Sequence, residues 1–210
     1  MTTMYDYEQK ALAQGYKHIA GCDEVGRGPL AGPLVAAAVV LDPDHPIEGL
    51  NDSKQLSEKK RDALAKEIKT SALSYAIIHI EPEEVDRLNV YKASQVAMRR
   101  AVRKLGKWDY VLSDAIPIPG LDVPVEPIVK GDAKSASIAA ASILAKVSRD
   151  AYMVGISKDY PEYGFEAHKG YPTRKHLEAL ETYGIIAEHR RSYAPVKNIL
   201  NKQQSLDIGE

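Results

Sequence analysis

The feature that most constrains the fold is a run of eight apolar residues at positions 34–41, bounded by Pro33 and Asp42. The run is far shorter than the roughly 20 residues that a membrane-spanning helix needs. Apolar and polar residues do not alternate in it, so it predicts a strand that is buried on both faces. Residues 18–25 also favour a strand, and the short Gly/Pro-rich turn between the two predicts an antiparallel hairpin.

Strand and helix patterns are mixed along the rest of the chain, which predicts an α/β fold with a mixed central sheet flanked by helices. The predicted strands cover residues 18–25, 34–41, 73–80, 109–114 and 125–129. The predicted helices cover residues 5–15, 57–69, 90–105, 135–157, 173–183 and 196–200, and a further one begins at Pro82. We assign residues 1–160 to a core and residues 161–210 to a small helical C-terminal subregion that does not fold independently, with a loop over 160–172.

Composition limits the classes of function. The 210 residues contain 28 Lys and Arg against 29 Asp and Glu, a formal net charge of -1, which excludes a strongly basic, indiscriminate nucleic-acid binder but not a local basic surface. Cys22 is the only cysteine, so an internal disulfide and a multi-cysteine metal site are excluded. The N-terminal residues lack the pattern of a secretory signal, and we expect a cytoplasmic monomer with no membrane association.

Four carboxylates lie at the ends of predicted elements: Asp23 and Glu24, Asp114, and Asp132. Neighbours on a regular strand point to opposite faces, so Asp23 and Glu24 reach one site only if the strand ends or distorts there. Oxygen ligands without nearby histidine or cysteine favour Mg²⁺ or Mn²⁺, and a pair of such ions can promote phosphodiester hydrolysis. For any single one of these residues, a surface acid near a turn explains the position equally well.

Two loops could contact a ligand. In the GRGPLAGP stretch at 26–33, glycines let backbone amides approach a sugar or phosphate, although a tight hairpin turn explains it equally well. The stretch also fits a loose dinucleotide-binding pattern, but strand-like residues follow where a helix should begin. In the AHKGYPT loop at 167–173, an aromatic ring and cations can meet bases, sugars and phosphates, and a hydrophobic staple before the next helix is the alternative.

Six motifs occur in order and together resemble the type 2 ribonuclease H (ribonuclease HII) family. They are DEVGRGPLAGP at 23–33, NDSKQL at 51–56, VLSD at 111–114, KGD at 130–132, AAASILAKV at 139–147 followed by RD at 149–150, and HKGYPT at 168–173. The resemblance covers about residues 18–200. It implies a ribonuclease H-like fold with a catalytic core and a C-terminal substrate-binding subregion.

The resemblance also implies a function. The family hydrolyses RNA in RNA/DNA hybrids, cuts at single ribonucleotides embedded in duplex DNA, and leaves 3′-hydroxyl and 5′-phosphate ends. The implied metal ligands for two Mg²⁺ or Mn²⁺ ions are Asp23, Glu24, Asp114 and Asp132. The implied substrate contacts are Gly26, Arg27 and Gly28 on the 2′-hydroxyl, Tyr171 on the adjacent deoxyribose, and Asn51, Ser53, Lys54, Lys146 and Lys169 near phosphates.

Three features differ from the usual pattern of the family. The sequence starts close to the core and ends soon after Leu200, so we expect weaker binding to long duplexes than in relatives with terminal extensions. Ser113 and Cys22 stand where an apolar residue is more usual, and Ser113 could add a hydrogen bond beside Asp114.

Two other hypotheses for the function are kept. One is a nicotinamide-dependent oxidoreductase that uses residues 26–31, and the other is a non-catalytic module that binds RNA/DNA hybrids.

The charge distribution yields a prediction about binding. Basic residues in the second half of the chain form a modest basic flank, namely Lys146, Arg149, Lys169, Arg174, Lys175, Arg190 and Arg191. Because contacts with phosphates release counterions, we expect the affinity for a labelled hybrid duplex, measured by fluorescence anisotropy, to fall as salt rises to physiological concentration. An affinity that does not change with salt would contradict this.

Overall fold

The computed structural model describes residues 3–207 of the chain, and side chains up to residue 202. Its centre is a mixed sheet of five strands: β1 (Ile19–Val25), β2 (Leu34–Val40), β3 (Ser74–Ile80), β4 (Tyr110–Asp114) and β5 (Val125–Ile128). Their order across the sheet is β3-β2-β1-β4-β5. β1 pairs antiparallel with β2 and parallel with β4, and β4 pairs parallel with β5. The predicted hairpin and the mixed α/β sheet are confirmed.

Eight α-helices lie among the described residues: α1 (Asp6–Ala13), α2 (Glu58–Ser71), α3 (Pro82–Leu88), α4 (Val90–Arg103), α5 (Ala136–Ile156), α6 (Phe165–His168), α7 (Arg174–Tyr183) and α8 (Ala194–Asp207). Short 3-10 helices cover Ser53–Gln55, Gly131–Ala133 and Pro161–Tyr163. None of the helices in the part of the chain that the structure describes is long and apolar enough to cross a membrane.

Two local predictions were wrong. The predicted loop over 160–172 contains a 3-10 helix and α6, which begins after Gly164 and ends before Lys169, both in the left-handed region of φ. Gly164, which indicated an open loop, is therefore the residue before a short helix, and Lys169 is the residue after it. The terminal helix, predicted over 196–200, runs over Ala194–Asp207, because no glycine or proline interrupts the chain after Pro195 in that range.

The chain contains two compact units. The first takes in the residues up to Val25, Val35–His79 and Ser94–Ser148, and the second takes in Gly26–Leu34, Ile80–Ala93 and the residues from Arg149 onward. The predicted C-terminal subregion, as far as it is described, lies in the second unit; its residues 208–210 fall outside the described residues, and its boundary at residue 160 stays a prediction.

The core of the first unit explains the apolar run. All seven residues of β2 are buried, and its Val35, Ala37 and Val39 share one apolar cluster with the alanines of α5 between Ala136 and Ala145. Small side chains let this helix approach the sheet closely. At Gly21 of β1, an added Cβ atom would lie 2.1 Å from the backbone carbon of Ser137. The first turn of α5 is therefore in direct contact with the strand that carries Asp23.

A buried carboxylate fixes the start of α5. Glu8 of α1 accepts hydrogen bonds from the hydroxyls of Ser135 and Ser137 and from the backbone N–H of Ser137, at 2.9 Å for the last of these. The first N–H groups of a helix lack partners within the helix and carry partial positive charge, so an anion stabilises them. The N-terminal helix thus orients α5, which contributes Ser142 to the site described below.

The close contact at Gly21 gives a stability prediction. We expect Gly21→Ala to lower the free energy of unfolding by about 3 kcal/mol or more, because backbone atoms of α5 cannot move away without displacing the helix. Urea unfolding followed by circular dichroism measures the change. Gly106→Ala is the matched control, because an added Cβ atom there meets nothing within 4 Å. Equal stability of the two variants would contradict the contact.

Candidate functional site

Three aspartates meet at the carboxyl ends of neighbouring parallel strands in the first unit. Cys22 of β1 is in register with Ser113 of β4, so the next residue of each strand is an aspartate, Asp23 and Asp114. Asp132 follows β5, the next strand in the sheet. One carboxylate oxygen from each of the three lies within 4.8 Å of the others. The sheet thus brings together acids that are up to 109 residues apart in the sequence, counted from Asp23 to Asp132.

Hydrogen bonds orient the first two carboxylates. Oδ1 of Asp23 accepts the backbone N–H of Glu24 at 2.7 Å, and the hydroxyl of Ser142 also donates to this carboxylate. Oδ1 of Asp114 accepts the N–H of Gly131 at 2.7 Å. An added Cβ atom at Gly131 would lie 2.6 Å from the terminal methyl group of Ile138, so a larger residue here would require that side chain to move. The acids are therefore held in place by the protein itself.

Burial and negatively charged neighbours disfavour the charged forms of Asp23 and Asp132. The pKa of Asp23 is well above its usual range because the side chain is buried and because Glu24 and Asp114 are negatively charged neighbours. The pKa of Asp132 is raised by burial and by Asp114 and Asp52, which the cation of Lys54 partly offsets. Clustered oxygen ligands of this kind, with no histidine or cysteine in the group, fit a hard divalent cation such as Mg²⁺ or Mn²⁺.

Glu24 is a neighbour of this cluster, but it does not belong to the set of acids within 4.8 Å of one another among the described residues. β1 continues regularly to Val25, so the strand does not end between the two acids. The carboxylate of Glu24 is half-buried, and its charge raises the pKa of Asp23. Its role as a fourth ligand stays a prediction.

The predicted phosphate contacts of the first unit fall into two groups. Asn51 and Lys146 are half-buried and Lys54 is exposed, near enough to Asp132 to lower its pKa. Ser53, in contrast, is 4% exposed, and its hydroxyl lies 2.9 Å from the hydroxyl of Ser142. Ser53 thus supports the serine that binds Asp23.

The Gly/Pro-rich loop lies in the second unit, where two buried guanidinium groups bind its carbonyl oxygens. Arg149 donates to the carbonyls of Pro33 and Ala31, both at 3.0 Å, and Arg190 donates twice to the carbonyl of Gly32, at 3.1 and 2.9 Å. Both arginines are 0% exposed. The expectation that they form part of a basic flank was wrong, because both side chains are buried and hold the backbone of this loop in its conformation.

Contacts to the carbonyl of Arg27 determine the direction of the backbone N–H of Gly28. The carbonyl of Arg27 accepts the hydroxyl of Tyr193 at 2.5 Å and an N–H of Arg190 at 3.3 Å. In a trans peptide the C=O and the following N–H point in opposite directions, so the N–H of Gly28 points away from these two side chains. Arg27 and Gly28 are exposed, while Gly26 is buried.

Tyr171 lies beside this loop. An added Cβ atom at Gly28 would be 3.6 Å from its ring, and the guanidinium carbon of Arg149 is 6.0 Å from the ring centroid. The side chain of Tyr171 is 40% exposed, so its ring is available to a ligand. Lys169 is half-buried, with a left-handed backbone, and its ammonium group donates to the carbonyl of Glu166.

Several roles were not predicted. Ser142 belongs to the AAASILAKV motif, and its bond to Asp23 was not predicted, although a serine in an alanine-rich helix is a polar group that needs a partner. Nothing in the sequence distinguishes Arg149, Arg190 and Tyr193 from surface residues. Ser113 donates to the carbonyl of Ile116 at 2.7 Å, so it fixes the turn after β4 instead of binding Asp114. The nicotinamide hypothesis is wrong, because the loop at 26–33 is followed by strand β2, whereas a dinucleotide-binding loop is followed by a helix.

The comparisons agree on one family. The sequence profile described as Ribonuclease HII matches residues 20–196. The ribonuclease HII of Vibrio vulnificus (strain YJ016) is 54% identical over 192 residues, which are 91% of this chain and 93% of that protein. The ribonuclease HII of Clostridioides difficile (strain 630) is 53% identical over 201 residues, 95% of this chain and 78% of that protein. The solved ribonuclease H2 from Pyrococcus horikoshii OT3 is similar with a TM-score of 0.77 and 27% identity, covering 90% of this chain and 99% of that one.

The repulsion within the cluster predicts the stability of a variant. With divalent cations removed at pH 8, we expect Asp23→Asn to raise the unfolding temperature by about 3–6 °C, because it removes a buried charge. The folded pKa of Asp23 is raised, so the folded state binds more protons than the unfolded state above pH ~4, and the parent loses stability as pH rises. The gain from the substitution should therefore shrink towards pH 4, as differential scanning calorimetry can measure.

The matched control is Asp122→Asn, which removes an exposed carboxylate from the same unit. Mg²⁺ or Mn²⁺ should also stabilise the parent more than Asp23→Asn. If the two asparagine variants shift the unfolding temperature equally at pH 8, the repulsion does not act as described.

Proposed function

Since this chain belongs to the ribonuclease HII family and is a ribonuclease H enzyme, we propose that it cuts the RNA strand of RNA/DNA hybrids and cuts 5′ to ribonucleotides embedded in duplex DNA. The products are a 3′-hydroxyl and a 5′-phosphate. The observation that carries the proposal is the cluster of Asp23, Asp114 and Asp132, whose oxygens converge within 4.8 Å at one edge of the sheet.

Two Mg²⁺ or Mn²⁺ ions fit this cluster, held by Asp23, Asp114 and Asp132 with Glu24 as the fourth ligand. Bound there, such ions would supply a water nucleophile of lowered pKa and positive charge near the leaving 3′ oxygen. The chain supplies the rigidity that this requires. Ser142 and the N–H of Glu24 hold Asp23, and the N–H of Gly131 holds Asp114, so these two carboxylates are oriented before any ion binds.

The chain recognises the sugar of the nucleotide and not the identity of the base. The loop of Gly26, Arg27 and Gly28 exposes backbone, and a backbone amide can bind a 2′-hydroxyl, the group that distinguishes RNA from DNA at a given position. The exposed ring of Tyr171 beside Gly28 is suited to stack on the deoxyribose of the neighbouring nucleotide. Asn51, Lys54, Lys146 and Lys169 contact phosphates, and Ser53 acts through Ser142.

The biological setting follows from this specificity. An enzyme that cuts beside a single ribonucleotide in DNA begins the removal of that ribonucleotide during replication and repair. A cytoplasmic monomer that binds hybrid or ribonucleotide-containing duplexes remains our prediction for the working form of the chain.

The decisive assay uses a DNA duplex with one ribonucleotide and a matched all-DNA duplex. In Mg²⁺ or Mn²⁺ we expect one cut, 5′ to the ribonucleotide, and no cut in the all-DNA duplex. Asp23→Asn and Asp132→Asn should each lower kcat by roughly 10²–10³-fold or more, because the charge stabilisation at the reacting phosphate is lost. Labelled strands resolved on a denaturing gel show the position and rate of cleavage.

The matched control is again Asp122→Asn, which should cleave like the parent. A parent protein that binds the duplex but never cuts it, in either metal, would instead favour the non-catalytic hybrid-binding module. Full activity of Asp23→Asn would sink the assignment of the acidic cluster as the catalytic centre.

A further inference from the structure

Three histidines of the second unit form a cluster that the proposed reaction does not use. His176 is 0% exposed and His189 is 2% exposed, and their Nε2 atoms lie 3.1 Å apart. The ring of His168 is half-buried and stacks on that of His176, with centroids 4.6 Å apart and planes inclined by 13°. Buried polar side chains of this kind need a structural or functional reason, because each must find hydrogen-bond partners.

The partners of the two buried rings determine where each proton is. Nδ1 of His189 accepts the backbone N–H of Ile186 at 3.1 Å, so the proton of the His189 ring is on Nε2. Nδ1 of His176 lies 2.9 Å from the carbonyl of Tyr171, which can only accept, so His176 carries its proton on Nδ1. The Nε2–H of His189 therefore donates to the bare Nε2 of His176.

These bonds form a directed chain, from the Ile186 N–H through His189 and His176 to the Tyr171 carbonyl. The chain exists only while both rings are neutral, because a second proton on His176 would point at the N–H of His189. Burial lowers the pKa of His176 to about 4 and that of His189 to about 3, so both rings are neutral at physiological pH. The directions of the hydrogen bonds follow from the backbone partners alone, namely the N–H of Ile186 and the carbonyl of Tyr171.

The chain of bonds joins two segments to which we have assigned substrate contacts. At one end it holds the backbone of Tyr171, whose carbonyl also accepts the N–H of Thr173 at 2.8 Å. At the other end His189 forms a β-bridge with Ala31 of the Gly/Pro-rich loop, and its neighbour Arg190 donates its backbone N–H to the carbonyl of Leu30 at 2.8 Å. The N–H of Leu30 also donates directly to the carbonyl of Gly170 at 2.8 Å. The histidine pair is thus a second connection that sets the position of Tyr171 relative to that loop.

We propose that His176, with its ring oriented by His189, is a positioning residue that fixes Tyr171 beside Gly28 for contact with the sugar next to the ribonucleotide. This inference rests on the proposed function, because it needs Tyr171 to touch the substrate. His176 itself is buried and does not reach substrate, so it acts only through the Tyr171 backbone.

Two substitutions at His176 separate its two hydrogen bonds. In His176→Asn, the amide nitrogen occupies about the place of Nδ1 and keeps the bond to Tyr171. In His176→Gln, the amide reaches towards His189 and loses the bond to Tyr171. Both variants remove the buried ring, so both are expected to unfold at lower temperature than the parent, and the comparison of interest is between the two variants.

The measurement is kcat/KM on the duplex with a single ribonucleotide, at a temperature where both variants are folded by circular dichroism. We expect His176→Asn to exceed His176→Gln about tenfold, mainly through KM, and we expect the ratio to fall to about one when Tyr171→Ala is added to both. A ratio near one with Tyr171 present, or a ratio that survives Tyr171→Ala, would overturn the proposal.

A second measurement uses the parent protein and needs no variant. Nitrogen NMR of the parent at pH 7 distinguishes the two neutral forms of a histidine ring, and we expect His176 protonated on Nδ1 and His189 on Nε2. Any other assignment would overturn the directed chain. Failure of the proposed function would be visible separately, because the parent protein would then leave the ribonucleotide-containing duplex uncut while its NMR assignment stayed as stated.

Discussion

The repulsion among buried carboxylates is the interaction on which the arrangement of the first unit depends. Asp23, Asp114 and Asp132 stay close only because each is fixed to a different strand end or to the turn that follows it. The sheet provides that rigidity, because β2 is buried along its whole length and the alanine-rich α5 packs closely against the same layer. The stability of the core therefore offsets the electrostatic cost of a site that is built to attract cations.

The second unit manages buried charge of the opposite sign. Arg149 and Arg190 are both fully buried, and burial together with the charge of Arg190 lowers the pKa of Arg149 to about 10. Among the described residues, both guanidinium groups donate chiefly to backbone carbonyl oxygens of the Gly/Pro-rich loop. The loop residues that carry these carbonyls, Ala31, Gly32 and Pro33, have no polar side chains that could bind them instead. The hydrogen bonds described for both guanidinium groups thus go to neutral oxygens, which suits a loop that we propose to face the phosphate backbone of a nucleic acid.

The sequence carries enough information to place the three clustered aspartates, because strand ends can be read from periodicity and parallel neighbours bring their carboxyl ends together. It does not reveal residues whose role depends on contacts between distant segments. Arg190 reaches the carbonyl of Gly32 across 158 residues of chain, and Ser53 reaches Ser142 across 89. Composition also misled us about Arg149, because a guanidinium in a basic stretch normally indicates an exposed surface, whereas here it is part of the interior.

A neutral histidine pair suits the support of a sugar contact better than an ion pair would. A charge buried next to the Tyr171 carbonyl would add its own field to the region where a phosphate backbone is bound, and its strength would change with salt and pH. Neutral imidazoles give directional bonds of fixed polarity, and their depressed pKa values keep that polarity constant at physiological pH. The support that we propose for the sugar contact therefore does not vary with the charge of the two rings.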